Sequence, residues 1–277
     1  MKKFKKGSVE SFDENWKKRP ESFYNHFSTN PSNQIQFAFK NHYEVFNKLI
    51  FNKKKVYDVL EVGCGRGSLS SFFAHSGHKC TLLDISSEVI EIAKKIFKLN
   101  NHNANFVIGD VERMNFKDNS YDVVFSIGLM EHFKEIEKSI QEQLRVLRPG
   151  GTLFLYVVPK YKKNIQSDYN WVNEILKTFH SSKSLVQKEK VYRSDEDSTK
   201  YIKFLTNKVS DVFSAGIYPL PMISPSIEFP FTLMSDQQEK ILINHFKKML
   251  ITEERESHHP WLCEEGYGQA FLVWAKK

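Results

Sequence analysis

The stretch DVLEVGCGRGSLS, residues 58 to 70, decides how the rest of the chain is read. A short apolar run, VYDVLEV at 56–62, carries the acid Glu61 and opens into Gly63, Gly65 and Gly67. Glycines at alternate positions let a backbone turn sharply and approach a ligand without side-chain clashes. A dinucleotide turn needs G-x-G-x-x-G, because its third glycine permits close helix packing over a pyrophosphate. Here position 68 is serine and the pattern is E-x-G-x-G-x-G. An acid two residues before the first glycine repels a pyrophosphate and suits a cationic ligand.

Outward from this turn, strand and helix patterns alternate. SLSSFFAH (68–75) reads as a short helix closed near Gly77, and KCTLL (79–83) as a strand ending at Asp84. Ser86 or Ser87 caps a helix whose apolar stripe is Val89, Ile92, Ala93, Ile96 and Leu99. NFVI (105–108) is a third strand before Gly109-Asp110, and YDVVFSI (121–127) a fourth. A helix from about Lys134 is broken by Arg148-Pro149-Gly150-Gly151, and TLFLYVV (152–158) is a fifth strand. A helix at about 236–250, with Leu242, Phe246, Met249 and Leu250 in register, precedes a last strand, QAFLVWA (269–275). Near-continuous apolar strands alternating with helices signify a doubly wound α/β sheet, whose ligands bind beyond the carboxyl ends of the strands.

The chain has 277 residues, 40% hydrophobic and 26% charged, the balance of an ordinary globular protein. No window approaches ~20 consecutive apolar residues, and the basic N-terminus is not followed by an apolar stretch, so neither a membrane span nor a signal peptide is expected. Three scattered cysteines, Cys64, Cys80 and Cys263, suit neither a disulfide framework nor a metal site and point to a reducing, cytoplasmic compartment. The adjacent His258-His259 pair seldom faces one ion, and no metal is expected. The net charge of +7 falls entirely within residues 1–55, and the remainder balances to zero. A nucleic-acid enzyme more often carries its basic face on the main body. These features divide the chain into an N-terminal extension (1–50), which the resemblance described next implies is a helical lid, a core (51–159), an inserted aromatic-rich cap (160–231) and a C-terminal helix and strand completing the core (232–277).

Five motifs in order carry a resemblance: LEVGCGRG (60–67), Asp84, GD (109–110), YDVVFSIGLMEH (121–132) and LRPGG (147–151). Over residues 56–158 the chain resembles the class I S-adenosylmethionine-dependent methyltransferases, in their small-molecule type 11 group. The resemblance implies a Rossmann-like, mostly parallel seven-stranded sheet and S-adenosylmethionine as methyl donor. It implies that Glu61 and the segment Gly63, Cys64, Gly65 and Gly67 face the aminocarboxypropyl tail. It further implies Asp84 on both ribose hydroxyls, Ile85 on the adenine, Asp110 and the Val111 backbone at the adenine amino group, and Ser126 and Ile127 beneath the sulfonium.

His132, just past the fourth strand, is the candidate general base, its unperturbed pKa of ~6.5 suiting the task. Glu131 reads as solvated or salt-bridged. Trp16, Tyr24, His26, Phe27 and Tyr43 of the lid, with Tyr161 of the cap, are the candidate walls of the acceptor pocket, since aromatic faces attract a sulfonium and exclude water. The expected partner is a small-molecule methyl acceptor; nucleic acid is not, and the oligomeric state is open. An RNA or protein methyltransferase, and a non-catalytic regulator that binds the same nucleotide, are the alternatives.

Overall fold

The computed structural model describes residues 25–160, 192–217, 235–252 and 259–277. Its centre is a sheet of eight strands in the order β3-β2-β1-β4-β5-β8-β6-β7. The strands are β1 (Asp58–Val62), β2 (Lys79–Asp84), β3 (Ala104–Ile108), β4 (Tyr121–Ile127), β5 (Leu147–Val157), β6 (Asp211–Ile217), β7 (Leu262–Cys263) and β8 (Ala270–Lys276). The first five pair in parallel, and β8 runs antiparallel between β5 and β6. The helices are α1 (Gln34–Leu49), α2 (Ser68–His75), α3 (Ser87–Leu99), α4 (Glu137–Val146), α5 (Ser198–Leu205) and α6 (Asp236–Thr252).

Strand periodicity sorts the core into two layers. Phe125, Phe154, Leu272 and Trp274 face one side, with α1, α2 and Trp261. Val124, Leu153, Leu155, Phe271 and Val273 face the other, with α4 and Tyr201 of α5. Ser86 is the cap of α3, its hydroxyl accepting the Val89 N–H at 3.1 Å.

Four expectations are corrected. The sheet has eight strands, because the pair Leu262–Cys263 adds a short edge to β6. Residues 198–217, expected inside an inserted cap, form α5 and β6 of the core, with β6 paired to β8 over its whole length. Residues 161–191 and 218–231 of the expected cap lie outside the described residues. LRPGG does not break the chain before β5 but forms its start. Leu147 pairs with Tyr121, and the register then shifts so that Val123 faces Thr152, with Gly150 at φ +75°. Finally, α1 is a layer of the core and not a lid. Val45 and Phe46 are fully buried, and Phe46 stacks on Phe154 at 4.3 Å between ring centroids. His42 lies against Tyr156, Phe46 against Phe154, and the Phe51 N–H donates to Thr152 Oγ1. Thus α1 runs antiparallel to the parallel strands and its first turn points to their carboxyl edge. The rest of the expected lid, residues 1–24, lies outside the described residues.

Candidate active site

At the carboxyl end of β1 the chain turns through Gly63, Gly65 and Gly67, all left-handed, with φ of +61°, +53° and +69°. Only glycine takes this conformation routinely. Space demands it as well: a Cβ on Gly63 would lie 2.7 Å from Leu129 Cδ1, and one on Gly67 would strike Leu82 and Phe97. The turn is tied to β2 by the Cys64 N–H donating to the Leu83 carbonyl at 3.0 Å, and closed on itself by the Gly67 N–H on the Cys64 carbonyl at 2.8 Å. Cys64 is buried, which pushes its thiol pKa well up, so it packs and does not attack.

Asp84 stands at the end of β2, the neighbouring strand. Its Oδ2 accepts the Gly65 N–H at 3.1 Å and its Oδ1 the Ser86 N–H at 3.0 Å. Both carboxylate oxygens thus accept backbone N–H groups, which orients the group at the mouth of the turn. Beside it Ile85 is 46% exposed, an apolar surface at the mouth of the turn. Glu61 is buried beneath the turn, where its Oε2 accepts the Ser70 N–H of α2 at 3.3 Å. Burial pushes its pKa up to about 8, with the charge of Asp84 adding to the rise. Asp110 closes the turn after β3, its Oδ1 accepting the Glu112 N–H at 2.8 Å, while the Val111 side chain packs into the core. On β4 the Ser126 hydroxyl is fully buried without a hydrogen-bond partner among the described residues, and Ile127 is partly buried beside it.

The segment after β4 is held from two directions. Leu129 packs on the glycine turn. His132 ends the 3-10 turn Met130–His132, and its Nδ1 lies 2.7 Å from the Tyr192 carbonyl. A carbonyl only accepts, so Nδ1 carries the proton and the basic lone pair of the neutral ring is at Nε2. The Ser194 N–H donates to the Glu131 carbonyl at 2.7 Å and the Lys160 N–H to the Ser194 carbonyl at 2.8 Å, straps that pin residues 192–194 across the ends of β4 and β5.

Glu131 differs from its expectation. It is 1% exposed, and its Oε2 has no hydrogen-bond partner among the described residues. Burial raises its pKa to about 7 against the opposing charge of Arg193.

The expected acceptor wall is not assembled by the residues described. His26 is buried with its ring nitrogens 2.6 Å from Arg66 Nη1 and 3.0 Å from Ser68 Oγ. Phe27 meets the edges of Phe72 and His102 at 4.8 and 4.7 Å. The Tyr43 hydroxyl bonds to Ser76 Oγ at 2.6 Å, with its ring on Phe72 and Phe73. These three rings pack beside α2, and His132 is tied to residue 192 beyond β4. Trp16, Tyr24 and Tyr161 lie outside the described residues. Among the described residues no group of three His, Cys, Asp or Glu side chains converges on a metal position, and no helix is long and apolar enough to cross a membrane.

Comparison with known proteins agrees with this geometry. Residues 60–155 match the family described as a methyltransferase domain, type 11. Over these residues the chain is similar to the methyltransferase domain of the type 11 group of S-adenosylmethionine-dependent methyltransferases. The methyltransferase domain is 31% identical over 100 residues to a ubiquinone biosynthesis O-methyltransferase of Coxiella burnetii, covering 36% of this chain and 43% of that protein. It is 37% identical over 95 residues to the phthiotriol/phenolphthiotriol dimycocerosates methyltransferase of Mycobacterium tuberculosis, covering 34% of each chain. The match thus spans less than half of either relative. In fold, the chain is similar to a SAM-dependent methyltransferase of Thermotoga maritima described as a possible histamine N-methyltransferase. That likeness has a TM-score of 0.53 at 15% identity and covers 97% of this chain and 98% of that one. It is also similar to the YcgJ protein of Bacillus subtilis, at a TM-score of 0.50 and 17% identity, over 87% and 98% of the two chains. S-adenosylmethionine is the cofactor that this family and fold imply.

The residues at the carboxyl edge fit that group. The left-handed cradle has no room for a Cβ at Gly63 or Gly67, the Asp84 carboxylate is held at its rim, and an apolar face at Ile85 lies alongside.

Proposed function

We propose that the protein methylates an oxygen, nitrogen or carbon atom of a small-molecule acceptor, with S-adenosylmethionine as donor. The observation that carries this reading is the left-handed glycine turn facing the Asp84 carboxylate at the carboxyl edge of parallel strands. In this reading Asp84 accepts from the ribose diol, Ile85 packs on the adenine, and Asp110 and the Val111 backbone receive its amino edge. Glu61 and the Gly63–Gly67 segment, Cys64 and Gly65 included, hold the aminocarboxypropyl tail, and Ser126 and Ile127 form the floor. The bound donor supplies a methyl carbon activated by positive sulfur. What remains for the protein is alignment of the acceptor, worth up to ~7–11 kcal/mol in ideal cases.

His132 is the group poised to take the acceptor's proton. Its Nδ1–H donates to the Tyr192 carbonyl, which keeps the ring oriented as a proton is transferred. The small-molecule class is supported by the names of the Coxiella and Mycobacterium relatives, and by the neutral balance of charge outside residues 1–55.

Incubating the protein with methyl-labelled donor and fractionated cell extract tests the reading. Label is expected in the low-mass fraction, and label recovered in RNA or protein instead would transfer the reading to those acceptors. With the labelled acceptor in hand, His132→Ala is expected to lower kcat by roughly 10²-fold while leaving donor affinity intact. An undiminished kcat removes the base role.

A further inference from the structure

Arg66 sits between two left-handed glycines of the turn and is only 5% exposed. A buried guanidinium must be hydrogen-bonded to be tolerated. Its Nη1 lies 2.6 Å from His26 Nε2. Guanidinium nitrogens donate and never accept, so His26 Nε2 carries a lone pair and no proton. The ring proton is therefore on Nδ1, which donates to Ser68 Oγ at 3.0 Å. Ser68 is the first residue of α2, one step beyond Gly67. The same imidazole stacks on Phe39 of α1 at 5.0 Å. One neutral ring thus fastens the N-terminal segment to two points that flank Gly67, and it does so only in the Nδ1–H tautomer.

We propose that His26 is a positioning residue for the methyl-donor turn: by holding Arg66 and Ser68 it fixes the path of Gly65–Gly67 before the donor arrives. The inference rests on the donor reading above, and it moves His26 from the acceptor wall to the donor side. A turn of three glycines loses more conformational freedom on ordering than any other sequence of its length. Ordering it in advance lowers the cost of binding. The Gly65 N–H, already bonded to Asp84 Oδ2, is the atom through which the turn's path reaches the ribose-binding carboxylate.

The full chain is titrated with S-adenosylhomocysteine by calorimetry as wild type, His26→Ala and His26→Gln. A glutamine amide copies the neutral ring, since its oxygen accepts from Arg66 and its NH2 donates to Ser68. The dissociation constant is expected to rise about tenfold in His26→Ala and to return to within about threefold of wild type in His26→Gln. Nitrogen NMR of the ligand-free protein is expected to show His26 neutral with its proton on Nδ1. Wild-type affinity in His26→Ala, equal weakening in both variants, or a proton on Nε2 each overturns the proposal. If His26→Ala does not fold, the glutamine variant and the tautomer still decide. Failure of the wild type itself to bind the nucleoside overturns the donor reading instead.

Discussion

At the amino edge of the sheet Asp122 is paired with Lys54 at 2.5 Å and Arg148 at 2.9 Å, and it accepts the Asp58 N–H at 2.9 Å. Nearby, the Lys277 ammonium donates to the carbonyls of Leu144 and Leu147. At the carboxyl edge the acids are treated differently. Glu61 and Glu131 are buried with raised pKa values, and Glu131 Oε2 and Ser126 Oγ have no hydrogen-bond partner among the described residues. Three successive left-handed glycines lie there too. The first edge satisfies its charges and so stabilises the fold. The second leaves buried polar groups under-satisfied and holds the backbone in left-handed turns that only glycine takes routinely, and perturbed, under-satisfied groups cluster where binding and chemistry occur. The difference teaches that one sheet can keep its paired charges at one end of the strands and its buried, under-satisfied polar groups at the other.

The strongest way to break this comparison is to remove one aspartate from each edge. Asp84→Ala is expected to weaken S-adenosylhomocysteine binding on the order of a hundredfold, because hydrogen bonds to a charged group are worth roughly 1.5–3 kcal/mol each. Calorimetry showing wild-type affinity would place the donor elsewhere.

Asp122→Ala is expected to do the reverse, costing about 1–2 kcal/mol of stability in denaturant unfolding with donor affinity unchanged. Its pH dependence has a definite sign. Burial alone would raise the Asp122 pKa, but the hydrogen bonds from Lys54, the Asp58 N–H and Arg148 outweigh it and hold it below the ordinary 3.8. The stabilisation is therefore present above pH 3.8 and lost as pH falls through the lower folded value, so the gap between wild type and variant should close in acid.

Glu131 sharpens the contrast with the opposite sign. Its folded pKa is raised from 4.5 to about 7, so its contribution to stability is fully present below pH 4.5 and is lost as pH rises through 7. Glu131→Gln is expected to be more stable than wild type by about 1 kcal/mol at pH 8, with the advantage gone at pH 4.5. Melting curves that run in parallel at both pH values contradict a buried, protonated Glu131.

The smallest effect concerns Glu61, whose pKa of about 8 keeps it mostly protonated at pH 7 in the free protein. An ammonium brought near it favours the carboxylate, so donor binding at pH 7 should release a fraction of a proton. Calorimetry in two buffers of different ionisation enthalpy reads this directly, and identical heats would separate Glu61 from the ligand's charge.

Much of this was legible in the chain itself. The runs at 79–84 and 121–127 fold as the strands their unbroken apolar character implies, and SLSSFFAH is helical from its first residue to its last. The alternate glycines foretold a turn that only glycine can make, because a left-handed φ is a local property of one residue. Long-range facts were not legible. Nothing in the pattern of residues 198–217 distinguishes a cap from a core strand; pairing with β8, more than fifty residues later in the chain, decides it. Glu131 reads as solvated or salt-bridged, since charged side chains usually are exposed.

The sequence by itself determined the alternation of strand and helix, the glycine turn and the acid at the end of β2, because each follows from backbone sterics and hydrophobic periodicity over a few residues. Only the tertiary structure decided that α1 packs as a core layer, that His26 reaches Arg66 across forty positions, and that Glu131 is buried near enough to Tyr156 and Tyr201 for its charge to raise their pKa values. Burial and hydrogen-bond partnership depend on which distant segments meet, and that is settled by the packing of the whole chain.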